Sequence, residues 1–227
     1  MRVYYVSGYA NEVYYVRAED EKAAEELRRI LIVALKNPGI ITVALSGGNS
    51  PLPVYEKLSK FHLDWTRITF FLVDERCSTV DSSDNNYKNI KRVFFDHIES
   101  KAHAVIISGK PYQECVQAYQ KNILNNVQIT NNIPSFDLIV LGMGTDGHIA
   151  SLFPNTEALQ EKEDLVVLNK VPQLNTERIT MTYPVIMNSK KIALLIRGEE
   201  KKQVLLNAKK QNFPVSTVLS KIDVILN

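Results

Sequence analysis

Short runs of Val, Ile, Leu and Phe recur along this chain with little polar alternation, and stretches with helical spacing separate them. The runs occupy residues 40–45, 68–73, 104–107 and 136–141, and two more follow at 179–182 and 192–196. A strand with one wet face alternates apolar and polar residues, whereas a run that is apolar nearly throughout is covered on both faces. Between the runs, residues 21–35 place Ala23, Ala24, Leu27, Ile30, Leu31 and Ala34 on one side of a helix, with charged residues around the rest. Residues 51–61, 86–98, 112–124 and 199–208 are patterned alike. Strand alternating with helix predicts an α/β fold, a mostly parallel, doubly wound sheet with helices on both faces. No repeat, low-complexity tract or linker interrupts the pattern, so residues 1–227 read as a single domain. The Asn-rich stretch 125–132 reads as a loop leading to the strand at Phe136.

Composition narrows the function by exclusion. The 27 basic and 25 acidic residues nearly cancel, which gives no electrostatic reason for a nucleic-acid or membrane partner. Cys77 and Cys115 lack a Cys-x-x-Cys spacing, so neither a disulfide framework nor a Cys-rich zinc site is supported. Residues 1–8 lack a signal-peptide core, and no run reaches the ~18 apolar residues of a membrane helix. The chain therefore reads as cytoplasmic.

In an open parallel sheet, ligands bind beyond the carboxyl ends of the strands, and three loops leave expected strands there. In the first, Ser46-Gly47-Gly48-Asn49-Ser50-Pro51, two glycines allow close backbone approach, and free N–H groups at a helix start favour an anion such as phosphate. Ser50 is the expected helix cap and Pro51 suits the first turn. With no P-loop lysine and no full Gly-x-Gly-x-x-Gly fingerprint, ATP and NAD are not indicated. In the second, Asp74-Glu75-Arg76 puts a carboxylate and a guanidinium at the end of an apolar strand, suited to a polar or anionic ligand; Cys77 reads as a packing residue. In the third, residues 142–154 (GMGTDGHIASLFP), Asp146 lies two residues from His148, where a carboxylate orients an imidazole and raises its basicity. No third His or Cys lies at metal spacing from this pair.

Together the loops resemble the 6-phosphogluconolactonase family, which carries Ser-Gly-Gly-Ser-Thr-Pro, Asp-Glu-Arg and Gly-x-Gly-x-Asp-Gly-His-x-Ala-Ser-Leu-Phe-Pro in this order and with similar spacing. The likeness continues through Asp84-Asn85-Asn86-Tyr87, Phe136-Asp137-Leu138, residues 178–182 (RITMT) and Gly198-Glu199-Glu200-Lys201. Asn49-Ser50 stands where that family usually has Ser-Thr, Ser78-Thr79-Val80 where it has Val-Pro-Pro, and Asn85 where it has Ser; its Pro-rich stretch is thinned to Val171-Pro172-Gln173-Leu174.

The resemblance implies a Rossmann-like fold and hydrolysis of a phosphosugar lactone in the oxidative pentose phosphate pathway. His148 would take a proton from the attacking water, Asp146 would hold its ring, and Arg76 with loop N–H groups would offset the oxyanion. The 6-phosphate would sit on Ser46, Gly47, Gly48 and Asn49 with Arg178 and Lys201, and Asp74 would also contact the substrate. It implies no metal or organic cofactor, and a monomer or small homo-oligomer. The nearest rival, glucosamine-6-phosphate deaminase, continues Asp-Gly-His with Ala-Phe-Asn-Glu-Pro and uses the Glu; here Ala150 is followed by Ser151-Leu152-Phe153-Pro154, without a Glu. A non-catalytic sugar-phosphate sensor is the third reading, but a sensor need not keep Asp146 and His148.

Overall fold

The computed structural model describes residues 3–5, 14–16, 20–79, 82–105, 107 and 109–226. The expectations that fall on Val80, on Ile106 and on most of residues 1–8 lie outside them. In chain order the elements are strands β1 (Val3–Tyr5) and β2 (Tyr14–Val16), helix α1 (Asp20–Leu35), β3 (Ile41–Leu45), α2 (Leu52–Leu58), β4 (Ile68–Leu72), β5 (Asp74–Arg76), α3 (Asn86–Val93), β6 (Lys101–His103) and α4 (Gln113–Asn126). They continue with β7 (Ile129–Thr130), β8 (Ile133–Pro134), β9 (Leu138–Gly142), β10 (Val166–Val171), β11 (Thr176–Met181), α5 (Tyr183–Met187), β12 (Ile192–Leu195), α6 (Glu199–Leu206) and β13 (Val224–Leu226).

The main sheet has eight strands in the order β1-β2-β13-β12-β9-β3-β4-β6. The β1–β2 pair is antiparallel and the remaining pairs are parallel. Every residue of β3, β4 and β12 is buried, as apolar runs covered on both faces require. Helix α1 turns Ala23, Ala24, Leu27 and Leu31 into the core. Each such Leu contributes about 1.5–3 kcal/mol of transfer free energy.

The topology places the site. From β3 the chain steps outward to β4 and β6; from β9 it steps the other way to β12 and β13. With right-handed crossovers, the connections on the two sides of this reversal lie on opposite faces of the sheet. Neighbouring strands β3 and β9 therefore send their carboxyl-end loops apart, and a crevice opens between them.

The structure departs from the expected elements at four places. The strand placed at 104–107 lies at Lys101–His103. It is an edge strand, fixed by backbone pairing of Thr69 with Lys101 and Phe71 with His103, so its polar residues carry no penalty there. The strand at 179–182 belongs to a separate antiparallel sheet, β10-β11-β5, instead of the parallel one. Of the loop placed at 125–132, Asn125 and Asn126 end α4, and Ile129–Thr130 pairs with Ile133–Pro134 as a small hairpin, with Asn131 and Asn132 at positive φ in its turn. The helix drawn over 86–98 ends at Val93, because Phe94 turns away with φ −134 and ψ −65.

Candidate active site

Nine of the ten residues singled out from the sequence line one cleft of about 210 Å³: Ser46, Gly47, Gly48, Asn49, Asp74, Arg76, His148, Arg178 and Lys201. Asp146 is not among the lining residues. Asn86, Ser50, Pro51, Met143 and Ala150 also line the cleft.

His148 Nδ1 lies 2.6 Å from Asp146 Oδ1, and the same oxygen accepts the His148 backbone N–H at 3.1 Å. A carboxylate only accepts, so this contact assigns the proton to Nδ1 and leaves Nε2 as the basic nitrogen. Burial raises the Asp146 carboxyl, but the hydrogen bond and charge of His148, with backbone N–H groups, outweigh it and hold the group below the usual carboxylate range. The imidazole stacks on Phe153 with ring centroids 3.9 Å apart. Glycine is required beneath it, because a Cβ on Gly144 would lie 2.2 Å from His148 Nδ1. Gly147, at φ +74, packs against Phe213, and its carbonyl accepts from Val215 N at 3.0 Å. A segment about 65 residues downstream thus supports the loop, a contact with no local signal in the sequence.

In the first loop, Ser46 N–H donates to Val140 O, which ties the loop to β9. No backbone oxygen of the described residues takes the N–H groups of Gly47, Gly48 or Asn49. Tyr55, fully buried, donates its hydroxyl to Ser46 O at 3.0 Å and fixes the turn from below. Ser50 does not cap α2: Pro51 occupies that position with helical angles and without a side-chain bond, while the Ser50 hydroxyl receives Lys201 Nζ at 3.2 Å. Burial pushes the Lys201 ammonium down from its ordinary range.

The second loop is short strand β5, and β11 pairs with it so that Arg76 faces Arg178 and Asp74 faces Thr180. Burial, and then the charge of Arg76, lower the Arg178 pKa. Its guanidinium lies 5.7 Å from the centre of the Phe153 ring. Arg76 Nη1 donates to Asp84 O, and Asp74 Oδ2 accepts from Ser151 Oγ at 2.6 Å. Between these cleft residues Glu75 points into the core and is fully buried. Its carboxylate accepts the backbone N–H groups of Arg76, Asn86 and Tyr87, each at 2.8 Å, and so anchors the start of α3 to β5. Burial outweighs those bonds and pushes Glu75 up to about 7. Burial likewise pushes the Cys77 thiol up to about 12, which suits packing and not nucleophilic attack.

Four cleft atoms are buried without a hydrogen-bond partner: Ser46 Oγ, Arg76 Nε, Asn86 Oδ1 and Arg178 Nε. An orphaned buried polar group costs about 1–3 kcal/mol, a cost that a polar ligand in the cleft would relieve. Among the described residues no group of three His, Cys, Asp or Glu could hold a metal, and no helix is long and apolar enough to cross a membrane.

The sheet, its reversal and the strand-end cleft define an open α/β protein organised around three carboxyl-edge loops. Residues 18–226 match the family model for glucosamine-6-phosphate isomerases/6-phosphogluconolactonase, and the chain belongs to that family. It is 38% identical over 175 residues to a 6-phosphogluconolactonase of Chlamydia pneumoniae, covering 76% of this chain and 66%, just under two thirds, of that protein. It is 36% identical over 177 residues to one of Synechocystis sp., covering 76% of this chain and 72% of that protein. The crystal structure of 6-phosphogluconolactonase from Thermotoga maritima superposes with a TM-score of 0.83 at 32% identity, covering 94% of this chain and 97% of that one.

Proposed function

We propose that this chain hydrolyses 6-phosphoglucono-1,5-lactone to 6-phosphogluconate, the lactone step of the oxidative pentose phosphate pathway. The observation that carries the reading is the His148–Asp146 contact at 2.6 Å beside a cleft lined by three cations, Arg76, Arg178 and Lys201. The related proteins named above are lactonases, and the deaminase reading lacks its Glu: Phe153 stands at that place in the motif and stacks on His148.

A lactone carbonyl is already electrophilic, so a positioned base and an aimed water suffice. His148 Nε2 takes a proton from water as its oxygen attacks C1. Asp146 keeps the ring in the Nδ1–H tautomer and balances the imidazolium that forms. Donors at the cleft, Arg76 among them, offset the charge on the tetrahedral oxyanion. His148 then returns the proton to the ring oxygen as the C1–O bond breaks, which gives the free acid and a hydroxyl. A placed base contributes roughly 10²–10⁴-fold, and one oxyanion donor roughly 10²–10³-fold. The phosphate sits on the N–H groups of Gly47, Gly48 and Asn49, with Ser46, Lys201 and Arg178, and Asp74 meets the sugar. The cytoplasm, where free thiols such as Cys77 and Cys115 persist, is the proposed compartment.

The test follows acid release from freshly made 6-phosphogluconolactone above the spontaneous rate, beside ammonia release from glucosamine 6-phosphate. Acid release alone supports the lactonase, ammonia release the deaminase, and neither a sensor.

A further inference from the structure

We infer that Ser151 is a positioning residue: its hydroxyl sets the Asp74 carboxylate to accept a hydrogen bond from a ring hydroxyl of the substrate, so that the pair helps decide which sugar the cleft accepts. The inference rests on the lactonase reading for the identity of that substrate.

Ser151 is fully buried, and all three of its polar groups are committed. Its N–H donates to Thr180 Oγ1 at 3.1 Å, its carbonyl accepts from Asn169 Nδ2 at 2.8 Å, and its hydroxyl donates to Asp74 Oδ2 at 2.6 Å. Asp74 is held from the other side as well. Its backbone is in register with Thr180, and its carbonyl accepts from Asn86 Nδ2 at 3.0 Å. The third loop thus fixes a side chain of the second one.

A carboxylate offers about four lone-pair sites, and Ser151 occupies one. No described residue donates to Asp74 Oδ1, and Asp74 lines the cleft. The other charged side chains there, apart from His148, are Arg76, Arg178 and Lys201, which only donate and which suit an anion. A carboxylate repels a phosphate, so Asp74 belongs to the other kind of group that a phosphosugar presents, its hydroxyls. Without the Ser151 hydroxyl, Asp74 Oδ2 loses its partner, and the carboxylate is free to turn toward the Arg178 charge it already feels. Oδ1 then no longer holds its aim. A site built to accept a substrate O–H discriminates steeply against an analogue that lacks it.

The test is a set of crossed kinetic comparisons. The parental protein, Ser151→Ala and the isosteric Asp74→Asn are each assayed on 6-phosphogluconolactone and on three 6-phospholactones, each lacking the hydroxyl at C2, C3 or C4. We expect the parental protein to lose on the order of 10²-fold in kcat/KM on one deoxy lactone. Ser151→Ala should lose roughly 10-fold on the full lactone, mostly in KM, and less than about threefold more on that same deoxy lactone. Losses that multiply independently for all three deoxy lactones in Ser151→Ala would overturn the inference and leave Ser151 a structural residue, whatever Asp74→Asn shows. If circular dichroism shows Ser151→Ala unfolded, Ser151→Cys, whose thiol is a weak donor in nearly the same shape, carries the same comparison. A parental protein that hydrolyses no lactone at all removes the lactonase reading, and this inference with it.

Discussion

Arg76 and Arg178 are direct cross-strand partners between β5 and β11, and no carboxylate of the described residues forms an ion pair with either. Directly opposed like charges destabilise a sheet, yet here both guanidiniums reach one cleft and each leaves a buried Nε unpartnered. A bound anion would resolve both costs. Inorganic phosphate at 100 times its Kd should stabilise the fold by about 2.7 kcal/mol, which for a chain of this length is a rise of about 5–10 °C in Tm. Arg178→Gln should lose at least half of that rise and increase KM roughly 10-fold, while its Tm without phosphate is no lower than the parental value. Calorimetry across a phosphate titration measures both. A drop of several degrees in the unliganded variant would contradict the repulsion.

In the proposed mechanism Asp146 works through His148. Asp146→Asn offers the imidazole a neutral partner that no longer selects the Nδ1–H tautomer, so kcat should fall roughly 10²–10⁴-fold with KM within about threefold. The folded carboxyl lies below its ordinary 3.8. A depressed acid stabilises the fold above its unfolded pKa and stops doing so as pH falls through the folded value. The stability gap between parent and variant should therefore hold through neutral pH and close only below about pH 4. Urea melts at several pH values report it, and a gap that closes near pH 6 would assign the effect to another group.

Glu75 runs the opposite way. Its folded pKa stands near 7 against an ordinary 4.5. The folded state holds the proton more tightly than the unfolded chain, so this contribution is fully present below about pH 4.5 and is lost as pH rises through about 7. At about 1.4 kcal/mol per pH unit the loss amounts to about 3 kcal/mol. Glu75→Gln, which cannot titrate, should lack this decline between pH 4.5 and 7. Parallel pH profiles for the two proteins would show that the three backbone N–H bonds keep Glu75 ionised throughout.

Much of the fold was legible because burial on both faces writes itself into composition: the runs at β3, β4, β9 and β12 needed no neighbour to be recognised. The edge strand Lys101–His103 was not, since backbone pairing sustains it and its side chains are only partly buried. Nor was the sheet β10-β11-β5, in which β5 lies about 90 residues before the adjacent strands β10 and β11 and meets β11 only in three dimensions. The cleft was legible in its loops, because a Gly-rich turn after an apolar strand is a local pattern. Its supports were not. Asn86 against Gly47, Phe213 against Gly147 and Ser151 on Asp74 are tertiary contacts without periodicity. The Ser50 cap failed for the same reason, since Lys201 reaches its hydroxyl from α6.

Two glycines should separate the proposed binding role from the proposed chemistry. A Cβ on Gly47 would meet Asn86 Oδ1 at 2.0 Å, beneath the loop proposed to hold the phosphate. One on Gly144 would meet His148 Nδ1 at 2.2 Å and Asp146 Oδ1 at 2.6 Å. Neither neighbour yields cheaply. Asn86 is pinned by Asp74 O and Glu75, and the His148 ring by Asp146 and the Phe153 stack. Overpacking of this kind costs about 1–3 kcal/mol, so both alanine variants should remain folded. Gly144→Ala displaces His148, the proposed base, and should lower kcat by roughly 10²-fold or more with little change in KM. Gly47→Ala should do the reverse, raising KM and flattening the phosphate-dependent rise in Tm while kcat at saturation stays within about threefold. If Gly47→Ala lowers kcat as severely as Gly144→Ala, then the first loop takes part in the chemical step and the division of labour between the two loops is wrong.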